Sequence, residues 1–170
     1  MTDLPAPRLL DQFGRAGRAL RVSVTDRCNL RCTYCMPAEG LDWMAKPEMF
    51  TDDELVRAVG VMVGLGVTQV RLTGGEPLLR RSLVDVVRRI AGLEPRPRIA
   101  MTTNGIGLDR LAAPLAAAGL DRVNVSLDTI DPEHFAGLTR RDRFNDVVAG
   151  LKAASDAGLT PVKVNAVAMR

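Results

Sequence analysis

The chain has 170 residues, 46% of them hydrophobic and 25% charged, which is enough for one sizeable core and ordinary for a soluble globular protein. Its net charge of +3 is too small to argue for a nucleic-acid groove. No apolar run reaches the roughly 20 residues that cross a bilayer, and the N-terminus lacks the basic–apolar–small-residue order of a secretory signal; a cytoplasmic protein with no nucleic-acid and no membrane partner is expected.

In chain order, residues 1–18 read as an N-terminal tail and residues 19–170 as one core. A first strand covers residues 18–25, and a long loop follows with three cysteines and then Gly40 and Pro47. Thr51 and Glu54 have capping-box spacing, which predicts a helix running to about residue 65. A second strand falls at 67–72, then a helix at 81–91 with Val84, Val87 and Ile90 on one face. A third strand at 98–102, a helix at 108–118 stopped by Gly119, and a fourth strand at 122–126 come next. A short helical turn after Asp131, a helix at 144–157 and a fifth strand at 161–167 complete the pattern.

Strand–helix alternation with short apolar strands argues for an α/β protein with a parallel sheet, either doubly wound or a (βα) barrel. Thr25, Thr73, Thr102, Ser126 and Asn165 all sit at or just past strand C-terminal ends. In a barrel those ends converge on one mouth, where active sites are built. The expectation is a partial (βα) barrel of about five parallel strands with covering helices, lacking the last strand and the C-terminal region of a longer protein.

Cys28, Cys32 and Cys35 are the only cysteines, spaced C-x3-C-x2-C directly after the first strand. Clustered thiols in a reducing compartment point to metal or catalysis rather than to disulfides. A closed structural zinc site wants four ligands, and no fourth Cys or His lies nearby. Three unrelated buried cysteines rarely take this spacing in a polar, arginine-containing loop. Three thiolates hold three irons of a [4Fe–4S] cube, which normally takes four cysteines. The remaining iron is then open to S-adenosylmethionine, bound through its amine and carboxylate.

The cysteine spacing, with Tyr34 before the last thiol, resembles the radical SAM superfamily, as does Thr73-Gly74-Gly75-Glu76-Pro77 after the second strand. Glycines there let the backbone approach a ligand, and either the carboxylate or backbone carbonyls accept from the methionine amine. Further segments resemble the GTP 3′,8-cyclases, the molybdenum cofactor biosynthesis protein A family: residues 20–29, Cys35-Met36-Pro37, Arg71 and Leu72 before the Gly-Gly-Glu-Pro run, Thr102-Thr103-Asn104-Gly105, residues 122–128, and Val162-Lys163-Val164-Asn165.

That resemblance implies a lyase that cleaves S-adenosylmethionine to a 5′-deoxyadenosyl radical. The radical takes the ribose 3′ hydrogen of GTP, giving 3′,8-cyclo-7,8-dihydro-GTP on the way to molybdopterin. It implies Cys28, Cys32 and Cys35 as cluster ligands, Tyr34, Gly75 and Ser126 as S-adenosylmethionine contacts, and Arg21, Arg71, Thr102 and Lys163 as GTP contacts. It further implies a flavodoxin- or ferredoxin-type reductant, cyclic pyranopterin monophosphate synthase downstream, and a dimer. The family's second [4Fe–4S] cluster needs three later cysteines that this chain lacks.

Bland readings stand beside these. Arg71 and Lys163 alternate with apolar neighbours, so in a barrel lumen each needs an anionic ligand or a buried salt bridge. Arg21 competes as a rim residue, and Thr102 and Ser126 as helix caps. Asp128 is read as a cap for the turn at Asp131 rather than a ribose contact, His134 as a solvated helix residue, and residues 140–143 as a solvated loop. The competing functions are another radical SAM enzyme of the peptide-maturase type, and a truncated non-catalytic iron–sulfur module.

Overall fold

A computed structural model describes residues 9–168. Five parallel strands, β1 (Ala19–Ser23), β2 (Gln69–Thr73), β3 (Arg98–Thr103), β4 (Arg122–Ser126) and β5 (Lys163–Asn165), form one sheet in the order β1-β2-β3-β4-β5. Consecutive order without a reversal is that of a barrel wall, not of a doubly wound sheet. Five helices lie in the connections: α1 (Asp52–Gly64), α2 (Leu83–Ala91), α3 (Leu108–Ala117), α4 (Pro132–Thr139) and α5 (Phe144–Asp156). None among the described residues is long and apolar enough to cross a membrane.

Side chains alternate across a strand, and the register turns that alternation into rows. Val22, Leu72, Met101 and Val123 are successive partners across four strands. Leu72, Met101 and Val123 are fully buried in one core with Val86, Val87 and Ile90 of α2, Leu108 and Leu115 of α3 and Val147 of α5. The next row down each strand is Arg21, Arg71, Ala100 and Arg122. Apolar positions of the sheet therefore meet the helices, and the alternate, polar positions face the lumen.

Local chemistry sets the helix ends. The capping box at α1 is present: Thr51 Oγ1 accepts from Glu54 N at 3.2 Å, and the Glu54 carboxylate accepts from Thr51 N at 2.9 Å. Gly119, at φ 105°, ends α3 where a side-chain-bearing residue would be strained. Three expectations need correction. The buried face of α2 is Leu83, Val86, Val87 and Ile90, spaced i, i+3, i+4 and i+7, which leaves Val84 half-buried at its edge. The turn after Asp131 is an eight-residue helix, capped where the Asp131 carboxylate accepts from His134 N at 2.8 Å. The strand expected at 161–167 pairs only over Lys163–Asn165, at the exposed edge of the sheet.

Of the expected tail, residues 1–8 lie outside the described residues. Residues 9–17 make a tight turn: Leu10 bridges Ala16, and the Asp11 carboxylate accepts from Phe13 N, Arg15 N and Arg15 Nε. Leu9 N donates to Leu65 O and so holds the turn to the end of α1.

Candidate functional site

The segment between β1 and α1 carries the cysteines and almost no regular structure, so its shape is imposed from outside. Four groups of contacts do this. From the end of β2, Gly75 N donates to Thr25 O at 2.8 Å and Glu76 N to Arg27 O at 2.7 Å. From the β3 end, Asn104 Nδ2 donates to Asn29 Oδ1 at 2.6 Å. From the C-terminal end of α4, Thr139 O and Leu138 O accept from Arg31 N and Thr33 N at 3.0 and 2.9 Å. Past the β4 end, Asp128 accepts from the Tyr34 hydroxyl at 2.5 Å. Within the loop, Arg31 Nη1 folds back onto Cys28 O and Leu30 O.

The two glycines of the Gly-Gly-Glu-Pro run serve a close approach, but to the protein itself. A Cβ on Gly74, which has φ +144°, would stand 2.2 Å from Thr25 O, and one on Gly75 would stand 2.2 Å from Arg27 O and 2.4 Å from Asp26 O. Glu76 is fully buried. Its carboxylate accepts from Thr103 Oγ1 at 2.7 Å, Asn104 N at 2.7 Å and Leu78 N at 3.0 Å. Burial pushes the Glu76 carboxyl up, against the opposing pull of those three donors. The sequence left open whether carboxylate or carbonyls receive a ligand amine; this carboxylate is occupied by three donors of the protein itself.

Cys28 and Cys32 are half-buried and Cys35 is exposed. Burial pushes the Cys28 thiol up, and burial together with the charges of Cys28, Cys35 and Asp128 pushes Cys32 up to about 11. The protein alone does not stabilise thiolates here; a bound metal ion deprotonates a coordinating thiol outright. Three soft sulfur donors are the donor set of an iron–sulfur cluster rather than of a hard cation. Among the described residues no three Cys, His, Asp or Glu side chains are gathered at metal-binding spacing. Past the C-terminal ends of β1 and β2 is a cavity of about 420 Å³ lined by Thr25, Asp26, Met44, Phe50, Gly74 and Gly75. Asp26 Oδ2 accepts from Met44 N, while its buried Oδ1 has no partner. An orphaned acceptor beside the Gly74–Gly75 backbone suits an amine of the kind S-adenosylmethionine carries.

Three of the four expected GTP contacts adjoin one another, and Lys163 shares their side of the sheet from the exposed edge strand β5. Arg21 and Arg71 are register partners, and Arg71 Nη1 reaches Thr102 Oγ1 at 3.5 Å. Thr102, Asn124 and Lys163 are partners across β3, β4 and β5, one side-chain row nearer the mouth. A cavity of about 510 Å³ at the N-terminal ends of the strands is lined by Arg21, Arg71, Arg98, Arg122 and Asp121 among others. Ser126 is half-buried at the end of β4, two residues before Asp128, and Tyr34 docks on that same aspartate.

Some assignments change. Asp128 does not cap the α4 turn, which Asp131 does; it accepts from Tyr34 and from Val167 N at 2.9 Å. Thr102 does not cap α3, whose N-cap is Gly107 without a side-chain cap bond; Thr103 and Asn104 instead shape the turn after β3, their side chains accepting from Gly105 N and Ile106 N. Arg140 is more than a solvated loop residue: its Nη1 donates to Arg31 O at 2.8 Å and Met36 O at 3.3 Å, clasping the cysteine loop. Only the lengthening of α4 puts it there, and no local sequence signal announces it. His134 is exposed on α4, as expected.

A partial (βα) barrel with a cysteine loop and a glycine-walled cavity at its mouth, and cations in its lumen, is the frame of an enzyme that builds its site at the strand C-termini. The sequence model of the radical SAM superfamily matches residues 22–170, and the chain belongs to that superfamily. It is 65% identical over 162 residues to a GTP 3′,8-cyclase of Streptomyces coelicolor, covering 95% of this chain and 48% of that protein. It is 60% identical to a GTP 3′,8-cyclase of Mycolicibacterium smegmatis, over 96% of this chain and 46% of that one. The chain thus spans about half the length of the curated relatives it matches. In fold it resembles SuiB of Streptococcus suis bound to S-adenosylmethionine, with a TM-score of 0.74 at 22% identity over 90% of this chain and 34% of that chain. It also resembles the methylornithine synthase PylB, with a TM-score of 0.68 at 17% identity over 87% of this chain and 44% of that chain.

Proposed function

We propose that this chain carries the radical-generating and phosphate-binding half of a GTP 3′,8-cyclase, which converts GTP to 3′,8-cyclo-7,8-dihydro-GTP in molybdenum cofactor biosynthesis. The observation that carries this reading is the lumen: Arg21, Arg71, Thr102 and Lys163 occupy two adjacent rows beneath the cysteine mouth. A triphosphate needs several fixed cations, and arginine offers each phosphate a planar fork of donors. The high identity to proteins named GTP 3′,8-cyclase supports the same substrate.

Cys28, Cys32 and Cys35 hold a [4Fe–4S] cluster, one in this chain. When bound, the cluster supplies the electron that splits S-adenosylmethionine to a 5′-deoxyadenosyl radical. Gly75 and its neighbour Asp26 receive the methionine end, while Tyr34 and Ser126 flank the nucleoside end near Asp128. Arg21, Arg71 and Lys163 neutralise the triphosphate, and Thr102 donates to it or to the ribose. Arg140, Arg31 and Asn104 hold the cysteine loop over the lumen. A flavodoxin- or ferredoxin-type reductant, cyclic pyranopterin monophosphate synthase as consumer of the product, a dimeric state and a cytoplasmic location belong to the same proposal.

The test is anaerobic reconstitution with iron and sulfide, then dithionite and S-adenosylmethionine, with and without GTP. Mass spectrometry reads 5′-deoxyadenosine and any nucleotide product. The expected result is 5′-deoxyadenosine that disappears when Cys28, Cys32 or Cys35 is replaced by Ala, and S-adenosylmethionine cleavage that responds to GTP. A reconstituted cluster that yields no 5′-deoxyadenosine would make the chain a non-catalytic iron–sulfur module. Cleavage indifferent to GTP would move it towards the peptide-maturase type.

A further inference from the structure

One cross-section of the lumen holds three guanidinium groups and a gap. Arg21, Arg71, Ala100 and Arg122 are successive register partners on β1, β2, β3 and β4, and all four line the cavity of about 510 Å³. Arg122 belongs to none of the roles assigned so far. Among the described residues none of the three arginines forms an ion pair. Asp121, the one carboxylate on the cavity wall, is already engaged: Oδ1 accepts from Arg96 Nη2 at 3.0 Å and Oδ2 from Ile99 N at 2.6 Å. Arg71 and Arg122 are half-buried, so water screens their mutual repulsion only in part. Three like charges around one space, whose one lining carboxylate among the described residues is already paired with Arg96, are stabilised together when an anion fills it.

We propose that Arg122 is a third polyphosphate-binding cation, acting with Arg21 and Arg71, and that Ala100 between them leaves the room the phosphates occupy. This rests on the reading that the lumen takes a nucleoside triphosphate and adds where its tail lies: at the Arg21–Arg71–Arg122 level, towards the N-terminal ends of the strands. Lys163, one row nearer the mouth on β5, then meets the phosphate closest to the ribose. The chemistry recognised is a chain of phosphates, so inorganic tripolyphosphate occupies the same place without a base or sugar.

The experiment compares equilibrium binding of GTP, guanosine and inorganic tripolyphosphate to the full 170-residue chain and to Arg122→Ala, Arg122→Gln, Arg71→Ala and, as a charge control, Arg88→Ala, which is exposed on α2 and paired with Asp85. Arg122→Ala and Arg122→Gln are expected to weaken GTP and tripolyphosphate about tenfold or more, leave guanosine unchanged, and flatten the salt dependence of binding. Arg88→Ala binds like the unmodified chain. Tripolyphosphate raises the unfolding temperature of the unmodified chain more than that of Arg122→Gln, a signature that loss of a merely structural arginine would not give. Unchanged tripolyphosphate affinity in both Arg122 variants, with weakened binding in Arg71→Ala, overturns the role of Arg122 and leaves the triphosphate reading intact. No binding of GTP or tripolyphosphate to the unmodified chain overturns both.

Discussion

Gly75→Ala is the sharpest probe of how the cysteine loop is held. The new Cβ would stand 2.2 Å from Arg27 O and 2.4 Å from Asp26 O, both backbone atoms that no side-chain rotation can move. Reaching ordinary contact at 3.4 Å forces the β1 and β2 loops apart by about 1.2 Å. The hydrogen bonds Gly75 N to Thr25 O and Glu76 N to Arg27 O, at 2.8 and 2.7 Å, do not survive that movement. Overpacking costs about 1–3 kcal/mol and two lost backbone bonds about 1 kcal/mol each, so the expected loss is about 3–5 kcal/mol. Because Cys28 directly follows Arg27, the same movement displaces a proposed cluster ligand. Equilibrium urea unfolding gives the stability, and iron and sulfide per chain after anaerobic reconstitution give the loading. Two controls separate the effects. Gly150→Ala puts a Cβ 2.3 Å from Gly105 O, away from the cysteines, and Gly64→Ala meets nothing within 4 Å. Gly150→Ala should lose stability and keep its iron; Gly64→Ala should keep both and gain up to about 1 kcal/mol from helix propensity. Normal iron loading in Gly75→Ala, or an equal loss of iron in Gly150→Ala, would refute the argument that this close approach positions the ligands.

Three further outcomes follow from named contacts. Glu76→Ala leaves Thr103 Oγ1, Asn104 N and Leu78 N without an acceptor in a fully buried place; a loss of about 3–5 kcal/mol is expected in urea unfolding, and Glu76→Gln, which keeps one oxygen, should lose less. Arg80 donates to Val24 O at 2.6 Å, Phe50 O at 3.1 Å and Asp52 at 2.6 Å, so Arg80→Ala should cost about 2–4 kcal/mol at pH 7. Although burial works to raise the Asp52 carboxyl, its bonds with Arg80 and Ser82 outweigh it and hold the group below the ordinary 3.8. A lowered folded value stabilises above 3.8 and is lost as pH falls through it, so the gap between Arg80→Ala and the unmodified chain should narrow below about pH 4 in urea midpoints taken from pH 7 to 3. Arg140→Ala should change global stability by under about 1 kcal/mol, since the residue is exposed, yet hydrogen exchange should quicken at Arg31 N and Thr33 N, which bond the neighbouring Thr139 O and Leu138 O; unchanged exchange would show that the arginine does not clasp the loop.

The elements of the fold were legible wherever a local signal existed. The capping box at Thr51 and Glu54, the glycine stop at Gly119 and the alternating β4 all appear where the pattern placed them. The barrel order followed from polar residues recurring at strand C-termini, and the consecutive sheet bears it out. What stayed hidden depends on pairing between distant segments. Arg21 and Arg71 were read one by one, as a rim residue or a GTP contact and as a lumen charge, and Arg122 only as part of a strand; the register alone shows the three at one level. Glu76 sits in a recognisable motif, but its partners Thr103 and Asn104 come from the next strand, so its structural duty could not be read from the motif alone. Arg140 needed the exact length of α4, a quantity that periodicity fixes poorly at helix ends.

Fold and lumen chemistry are therefore coupled through one variable, the strand register. The same strands supply the buried row Leu72, Met101 and Val123 and, one residue away, the cationic row of Arg71 and Arg122. A slip of one residue in β2 or β4 would put an arginine among the fully buried side chains and a leucine or valine in the lumen. Burying an unpaired guanidinium costs several kcal/mol (about as much as a small domain's whole net stability). The core thus selects the register, and the register sets the level of the arginines without any interaction among them. Arg71 and Arg122 are thus placed from the opposite face of the sheet, where Val70, Leu72 and Val123 are packed hydrocarbon, and the register of β1 on β2 brings Arg21 to the same level.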